Sequence, residues 1–557
     1  MDFYQEIVSV LKEKKLNARQ FAKLKRDLSQ KYKLKDIPTN IQILLHCEEE
    51  DIPILKSKLL TKPTRTISGV APVAIMTKPA RCPHGKCIYC PGGIDSPWGD
   101  VPQSYTGHEP ATMRGIRNDY DAYLQVFNRL EQYALLGQNF EKVEIIIMGG
   151  TFTATPKEYQ EDFILGVYKA LNDFSELFFD DGFNFLAFKE FFELPGKMRS
   201  KERTKNIKTK LLELKAKHNL SLEEEQLRKE NSKVKCVALC IETKPDWALL
   251  EHGNEMLRQG CTRVELGIQS VYDDVLKYVH RGHDSKISKK SLQILRDLGF
   301  KVNVHYMPGL PLTDRKRDLA GMKQLFSDPD YRPDMVKMYP CMVGESTPLY
   351  ELYKKGEFAA ISAEEAAYRI IAWKKIVPEY CRIQRIQRDV PTKMWKSGVE
   401  MTNLRQFMHN KYDVVCRCIR CREPKGKKVN WEKISLKVEE YDASGGKEYF
   451  ISAESEDVLI GFCRLRFPKE ILRKEITSTS ALIRELHVYG TATALGEEGN
   501  VQHKGWGKKL MQKAEEIAVS EGKDKIVVIS GVGVRGYYQK LGYGREGPYM
   551  IKLITNE

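Results

Sequence analysis

The residues best suited to chemistry are three cysteines in the run Cys82-Pro-His-Gly-Lys-Cys87-Ile-Tyr-Cys90. Three thiolates this close can hold three irons of a cubane [4Fe-4S] cluster, leaving the fourth iron open to a small molecule. A zinc knuckle is the alternative, although structural zinc sites usually close with a fourth Cys or His, and His84 lies between the ligands on a short loop. A second set, Cys416-Arg-Cys418-Ile-Arg-Cys421 with His409 upstream, offers the Cys3His donors of a structural zinc site. Unligated cysteines in a basic linker are its plainer reading. A third signal is Gln502-His-Lys-Gly505-Trp506-Gly507-Lys508, whose two glycines let backbone N–H groups at a helix N-terminus face a pyrophosphate. A glycine loop alone is weak evidence; the strand Glu485-Leu486-His487-Val488 before it and the aromatic turn Gly536-Tyr537-Tyr538 after it strengthen it.

These residues need a scaffold to position them. From about residue 70, apolar β-branched runs alternate with helical patterns. The runs span 70–76, 143–148, 234–241, 263–268, 301–307 and 335–339, which predicts six parallel strands in a partial (β/α)6 barrel with its chemistry on the loops after the strands. Strands over 458–466, 483–488 and 525–529 with a helix over 508–518 predict a compact α+β module at the C-terminal end. Residues 11–35 carry ten Lys/Arg against Glu13 and Asp27, and Leu11, Leu16, Phe21, Leu24 and Leu28 recur near helical spacing. They read as one or two basic amphipathic helices, whose simplest role is a solvated face. The lysine-rich stretch 196–217 is either a mobile insertion or another RNA contact. The expected division is a basic helical segment over 1–66, a barrel domain over 67–395, a zinc-binding linker over 396–430 and the α+β module over 431–557.

Bulk properties bound the function. With 42% apolar residues in 557, the chain can bury sizeable cores, and 90 Lys+Arg against 75 Asp+Glu leave a charge of +15 that favours a polyanion such as RNA. The N-terminus has no secretory signal pattern, and no run approaches the roughly 20 apolar residues of a membrane span, so a soluble, cytoplasmic protein with no membrane partner is expected. Thirteen cysteines, six of them in two tight clusters, suit metal ligation better than disulfides.

Longer motifs then narrow the field. CIYCPGG is followed by QSYTGHEP (103–110), MGGTF (148–152), IETKPD (241–246), GCTRVELGIQSVYD (260–273), VNVHYMPGLP (302–311) and RIQRIQRDVP (382–391). In this order, from about residue 60 to the C-terminus, the chain resembles the catalytic subunit of Elongator and its archaeal and bacterial relatives. That family joins a radical S-adenosylmethionine (SAM) domain to a GNAT acetyl-CoA domain. Tyr89 stands where radical SAM enzymes place an aromatic residue over the cluster. Gly149, Gly150 and Thr151 end the second strand with small residues whose backbone can approach SAM, or they form a tight turn. Glu242 and Gln269, near later strand ends, can hold ribose hydroxyls, although Glu242 could equally pair with Lys244.

The resemblance implies acetyl-CoA contacts at Lys142, Glu485 to Val488, and Trp506 to Lys508. It places Tyr538 near the thioester sulfur, where its hydroxyl can donate to the leaving thiolate; a core aromatic with a polar tip is the alternative. The implied reaction makes a 5'-deoxyadenosyl radical from SAM, takes a hydrogen from the acetyl methyl and joins that carbon to C5 of the wobble uridine of tRNA. Thioester hydrolysis then leaves 5-carboxymethyluridine. The basic N-terminal helices with Arg382, Arg385 and Arg388 would bind the anticodon stem-loop. The rival is a protein lysine acetyltransferase with a structural iron-sulfur domain.

Overall fold

The structure is a computed structural model that describes the chain except residues 60–68, 197–199, 389, 392–393, 426, 428, 491–504 and 555–557. Its first sheet is wholly parallel and takes its strands in sequence order: β1 Ala71–Met76, β2 Lys142–Met148, β3 Lys235–Thr243, β4 Arg263–Gln269, β5 Lys301–Tyr306, β6 Met335–Met338 and β7 Arg382–Arg385. Six of these match the apolar runs, and β7 is a correction. It carries Ile383 as its one apolar residue between arginines and Gln384, so hydrophobicity does not mark it. It is a strand because β6 lends it a ladder, with Met335 opposite Arg382 and Val336 opposite Ile383.

Helices cross between successive strands and cover the outer face, as parallel strands require. The lysine-rich stretch is neither open option of the sequence reading alone: its described part is a helix, Lys201–Ala216, docked by buried Ile207 and Leu211 and by an Arg203–Glu131 ion pair at 3.1 Å.

The second sheet runs in the order β13-β14-β12-β11-β10-β9-β8, with β8 Ile434–Ala443, β9 Gly446–Ser455, β10 Val458–Phe467, β11 Ser480–Val488, β12 Lys525–Ile529, β13 Gly544–Glu546 and β14 Tyr549–Leu553. The β8–β9 hairpin turns on Ser444 and Gly445, both at positive φ (49° and 71°) as a two-residue turn requires. Side-chain alternation gives this sheet two buried faces. Ile451, Ile460, Ile526 and Val528 pack under the helix Trp506–Ser520. Phe450, Phe462, Val527 and Ile529 join the continuous core of the barrel. The two domains therefore share one hydrophobic core rather than touching through a wet seam.

Ion pairs cross that contact, among them Arg484 to Asp334 at 2.7 Å and Arg466 to Asp297 at 2.6 Å, while within the second sheet Glu448 holds Arg484 at 2.8 Å and Glu485 holds Arg464 at 2.9 Å. At the other end of the chain, helices Phe3–Glu13, Ala18–Lys31, Asn40–Leu45 and Ile52–Leu59 build a small core on Phe3, Ile7, Leu11, Leu28, Ile43 and Leu55. Lys14, Lys15, Arg19, Lys23, Arg26, Lys33 and Lys35 are left exposed.

Candidate active site

The cysteine loop follows β1 at the C-terminal edge of the barrel and is held by backbone bonds from three directions. Gly85 N–H donates to Cys82 carbonyl at 3.0 Å, Ile88 N–H to Val279 carbonyl at 3.2 Å, and Leu349 N–H to Ile88 carbonyl at 2.9 Å. Cys82 Sγ lies 3.6 Å from Thr151 Oγ1, Cys90 Sγ accepts from Ser104 N–H at 3.2 Å, and Cys87 Sγ lies 3.2 Å from His84 Nε2. Burial and the nearby Lys244 and Arg281 cations push the His84 pKa down to about 3, so its imidazole is neutral at neutral pH. A tetrahedral zinc would draw its thiolates to ~3.8 Å of one another, given Zn–S bonds of about 2.3 Å. Among the described residues, Cys82, Cys87 and Cys90 are not one of the ligand groups gathered within 4.8 Å. The wider spread suits the corners of a cubane.

The residues expected around SAM surround this loop. Gly149 and Gly150 have φ of 133° and 95°, so the turn does require glycine. A Cβ on Gly149 would stand 2.1 Å from Thr77 Oγ1, and one on Gly150 would stand 3.9 Å from Cys82 Sγ. Turn and close approach are thus one feature. Among the described residues Gln269 Oε1 is buried with no hydrogen-bond partner, which suits a polar ligand. Glu242 is not paired with Lys244, whose ammonium goes to Asp246 at 3.2 Å; it accepts from Tyr105 Oη at 2.9 Å and Lys337 Nζ at 3.3 Å.

At the opposite end of the barrel strands stands the second half of the site. Lys142 starts β2 and lines the cavity, with its pKa lowered mainly by burial. β11 pairs with β12 only through Ser480–Ile483, so Glu485, Leu486, His487 and Val488 keep β10 on one side and offer backbone groups on the other. Gly505 caps the helix Trp506–Ser520 in the left-handed region (φ 73°) with no side-chain cap, leaving the first-turn N–H groups for a ligand. Gly507 has Tyr537 Oη 2.6 Å from where its Cβ would be, Lys508 is exposed, and Trp506 carries the Lys509 ammonium 4.3 Å above its ring. Gln502, His503 and Lys504 of the glycine motif lie outside the described residues. Tyr538 is buried, and its pKa is raised by burial and then by Cys463, so its hydroxyl is protonated at neutral pH.

One cavity of about 1010 Å³ joins these two ends. It is lined by Cys82, Gly150, Thr151, Glu242 and Gln269 at one end and by Lys142, Glu485, Leu486, His487, Val488, Gly507, Lys508 and Tyr538 at the other. Between them run the inward positions of the strands: Glu144, Ile146 and Met148 on β2, Arg263, Glu265 and Gly267 on β4, His305 on β5, and Lys337 on β6. Six steps along β2 at about 3.3 Å each give the passage a length of ~20 Å. Sequence reasoning missed its central layer. Glu265 accepts from His305 Nε2 at 3.0 Å and from Lys337 Nζ, and forms an ion pair with Arg263 Nη2 at 3.1 Å. Glu242, Glu265 and His305 have ligand atoms within 4.8 Å, but the Lys337 ammonium stands among them in the place of a cation. The alternation of charge with period two in Arg263-Val-Glu265-Leu-Gly267 was the available signal.

Arg382, Arg385 and Arg388 also line this cavity. Arg382 is tied to Glu423 at 2.6 Å, and the Arg388 guanidinium donates to the Ser104 carbonyl beside the cysteine loop. The second cysteine set is gathered: Cys416, Cys418 and Cys421 have sulfurs within 4.8 Å of one another, and Ile419 N–H donates to Cys381 carbonyl at 3.0 Å, fastening the knuckle beside β7. His409 is exposed on the helix Leu404–Lys411 and does not belong to that group.

A parallel half-barrel with a three-cysteine loop after β1, docked on an acyl-CoA sheet that splays at β11, defines a radical SAM enzyme fused to a GNAT domain. The chain matches the radical SAM superfamily over residues 204–321, the radical SAM C-terminal domain over 333–413, the acetyltransferase (GNAT) family over 416–543 and the ELP3 N-terminal domain over 1–67. The radical SAM fold implies a [4Fe-4S] cluster and SAM, the GNAT fold implies acetyl-CoA, and the residues above fit them. The chain is 46% identical over 532 residues to the tRNA uridine(34) acetyltransferase of Methanocaldococcus infernus, covering 93% of this chain and 92% of that one. It is 40% identical to Elongator complex protein 3 of Saccharomyces cerevisiae, covering 94% and 90%. The solved structure of Methanocaldococcus infernus Elp3 lacking residues 1–46 superposes with a TM-score of 0.71 at 40% identity, over 88% of this chain and 100% of that one. The chain belongs to the Elp3 family, the tRNA uridine(34) acetyltransferases.

Among the described residues no helix is long and apolar enough to cross a membrane.

Proposed function

We propose that this chain modifies the wobble uridine of tRNA, forming 5-carboxymethyluridine from acetyl-CoA by radical SAM chemistry. The observation that carries the reading is the single cavity between Cys82 and Tyr538, because two chemistries that share one interior can act on one acetyl group. When bound, the cluster and SAM supply one-electron chemistry able to activate an acetyl methyl.

The chain's own residues take these roles. Cys82, Cys87 and Cys90 ligate the cluster. Gly149, Gly150 and Thr151 present backbone to the amino-acid end of SAM, while Glu242 and Gln269 take its ribose hydroxyls. The open side of β11 from Glu485 to Val488 pairs with the pantetheine arm, and the helix start at Trp506, Gly507 and Lys508 takes the pyrophosphate. Lys142 polarises the thioester and Tyr538 donates to its sulfur. Cys416, Cys418 and Cys421 hold a structural zinc. The exposed lysines and arginines of the first two helices bind the anticodon stem-loop with strong salt dependence, and the arginines facing the cavity steer the unstacked base inward. Function divides as 1–66 for tRNA, 67–395 for radical chemistry, 396–430 for zinc and 431–557 for acetyl-CoA, in a soluble cytoplasmic enzyme.

The test is anaerobic incubation of the reconstituted chain with tRNA, SAM, acetyl-CoA and dithionite, followed by mass spectrometry of the nucleosides. The expected product is 5-carboxymethyluridine, absent with Cys87→Ser. Unmodified uridine together with SAM-independent protein acetylation would overturn the reading in favour of a lysine acetyltransferase.

A further inference from the structure

The three cluster cysteines have different neighbours: Cys82 faces a threonine hydroxyl, Cys90 faces Ser104, and Cys87 faces His84 Nε2 and, alone of the three in hydrogen-bond reach, a cation. That cation is Arg281, a buried guanidinium on the turn after the helix Asp273–Tyr278. Its Nε and Nη2 both donate to the Gly267 carbonyl on β4, at 3.1 and 2.7 Å, which aims Nη1 at Cys87 Sγ from 3.6 Å. Two glycines are built around this arrangement. A Cβ on Gly267 would fall 2.4 Å from Arg281 Nη2, and a Cβ on Gly282 would fall 2.5 Å from His84 Cβ, so the turn carrying Arg281 is pressed against the cysteine loop. The Ile88 N–H to Val279 carbonyl bond fastens the two segments at the other side of the arginine.

We propose that Arg281 sets the reduction potential of the cluster held by Cys82, Cys87 and Cys90. Reduction adds one negative charge to the cluster, and a guanidinium fixed beside it in a water-poor wall stabilises that charge. An N–H directed at a ligating sulfur acts in the same direction, by drawing electron density from the thiolate. Arginine does not deprotonate in proteins, so the bias is permanent and independent of pH. The fork to the Gly267 carbonyl is what keeps the cation aimed at sulfur. Arg281 is a positioning residue in this scheme, acting through Cys87.

The experiment is a redox titration of the reconstituted full-length protein, followed by electron paramagnetic resonance in the absence of SAM, with iron content measured in parallel. Arg281→Gln is expected to shift the equilibrium about tenfold or more toward the oxidised cluster, a fall of about 59 mV for a one-electron couple. Gly267→Ala keeps the charge but displaces the guanidinium, and is expected to lower the potential by a smaller amount. An unchanged potential in both variants at full iron content would overturn the proposal. If Arg281→Gln does not load iron, the potential of Gly267→Ala decides. Loss of iron from both at native circular dichroism would also overturn it, since Arg281 would then serve assembly rather than potential.

Discussion

Replacing Asp334 with Ala should loosen the docking of the acetyl-CoA domain on the barrel. Asp334 Oδ1 accepts from Arg484 Nη2 at 2.7 Å, and Oδ2 accepts from Arg484 Nη1 and from the Val302 N–H on β5, both at 2.8 Å. Arg464 stands 3.5 Å away, and all three side chains are at most 1% exposed. At 2.7 Å and an effective dielectric constant near 20, a unit charge pair is worth about 6 kcal/mol, a ceiling from which desolvation is subtracted. Removing one partner of a buried pair costs about 3–5 kcal/mol, the lower end applying here because Glu448 still holds Arg484 at 2.8 Å. That free energy corresponds to a loss of roughly 10²- to 10⁴-fold in amide protection where β5 and β11 meet, because local opening there must break this contact. Hydrogen-exchange mass spectrometry of peptides spanning 300–306 and 480–488 measures it. Arg484→Ala and the double variant complete a cycle in which the double should cost less than the sum of the singles by about 2 kcal/mol. A protection loss below about tenfold, or strict additivity, would refute the view that this pair locks the two domains.

Three further outcomes follow from the site. Tyr538→Phe should slow acetyl-CoA hydrolysis by roughly 10²-fold with little change in acetyl-CoA affinity, since it deletes one proton donor and leaves the ring in place; parallel rate and binding measurements check this. For Glu485, burial would raise the pKa, but Lys301 and Arg464 outweigh it and hold the carboxyl at about 2 instead of 4.5, which favours folding by about 3 kcal/mol at neutral pH. A depressed carboxylate contributes that stability above pH ~4.5 and loses it as pH falls toward 2, so thermal unfolding of Glu485→Gln should show a flatter acid limb than the wild type. Cys418→Ser, which removes the most buried of the three gathered thiols, should abolish a stoichiometric zinc signal in elemental analysis while leaving the iron content near its wild-type value.

The chemistry of this protein was legible in the sequence wherever a site is built from neighbours along the chain. Cys82, Cys87 and Cys90, the glycines at 149 and 150, and the knuckle at 416–421 are local, because a loop of a few residues brings its own ligands together whatever the fold. Six of seven barrel strands were equally readable, since the face they turn to the core is apolar even where the inward face is charged. β7 was not, because its residues face a charged cavity and its ladder is supplied by β6. The hairpin of β8 and β9 was missed for a related reason: β8 is largely exposed and carries no apolar run. What only the tertiary structure decided is how distant residues meet. Lys142 and Tyr538 line one cavity because parallel strands put all their N-terminal ends on one side, where the second sheet docks. Glu265, His305 and Lys337 form one layer because register aligns inward positions of three strands, and no spacing within a single segment encodes that meeting. Arg281 reaches Cys87 across nearly two hundred residues of sequence for the same reason: a parallel barrel gathers the loops after all its strands at one rim.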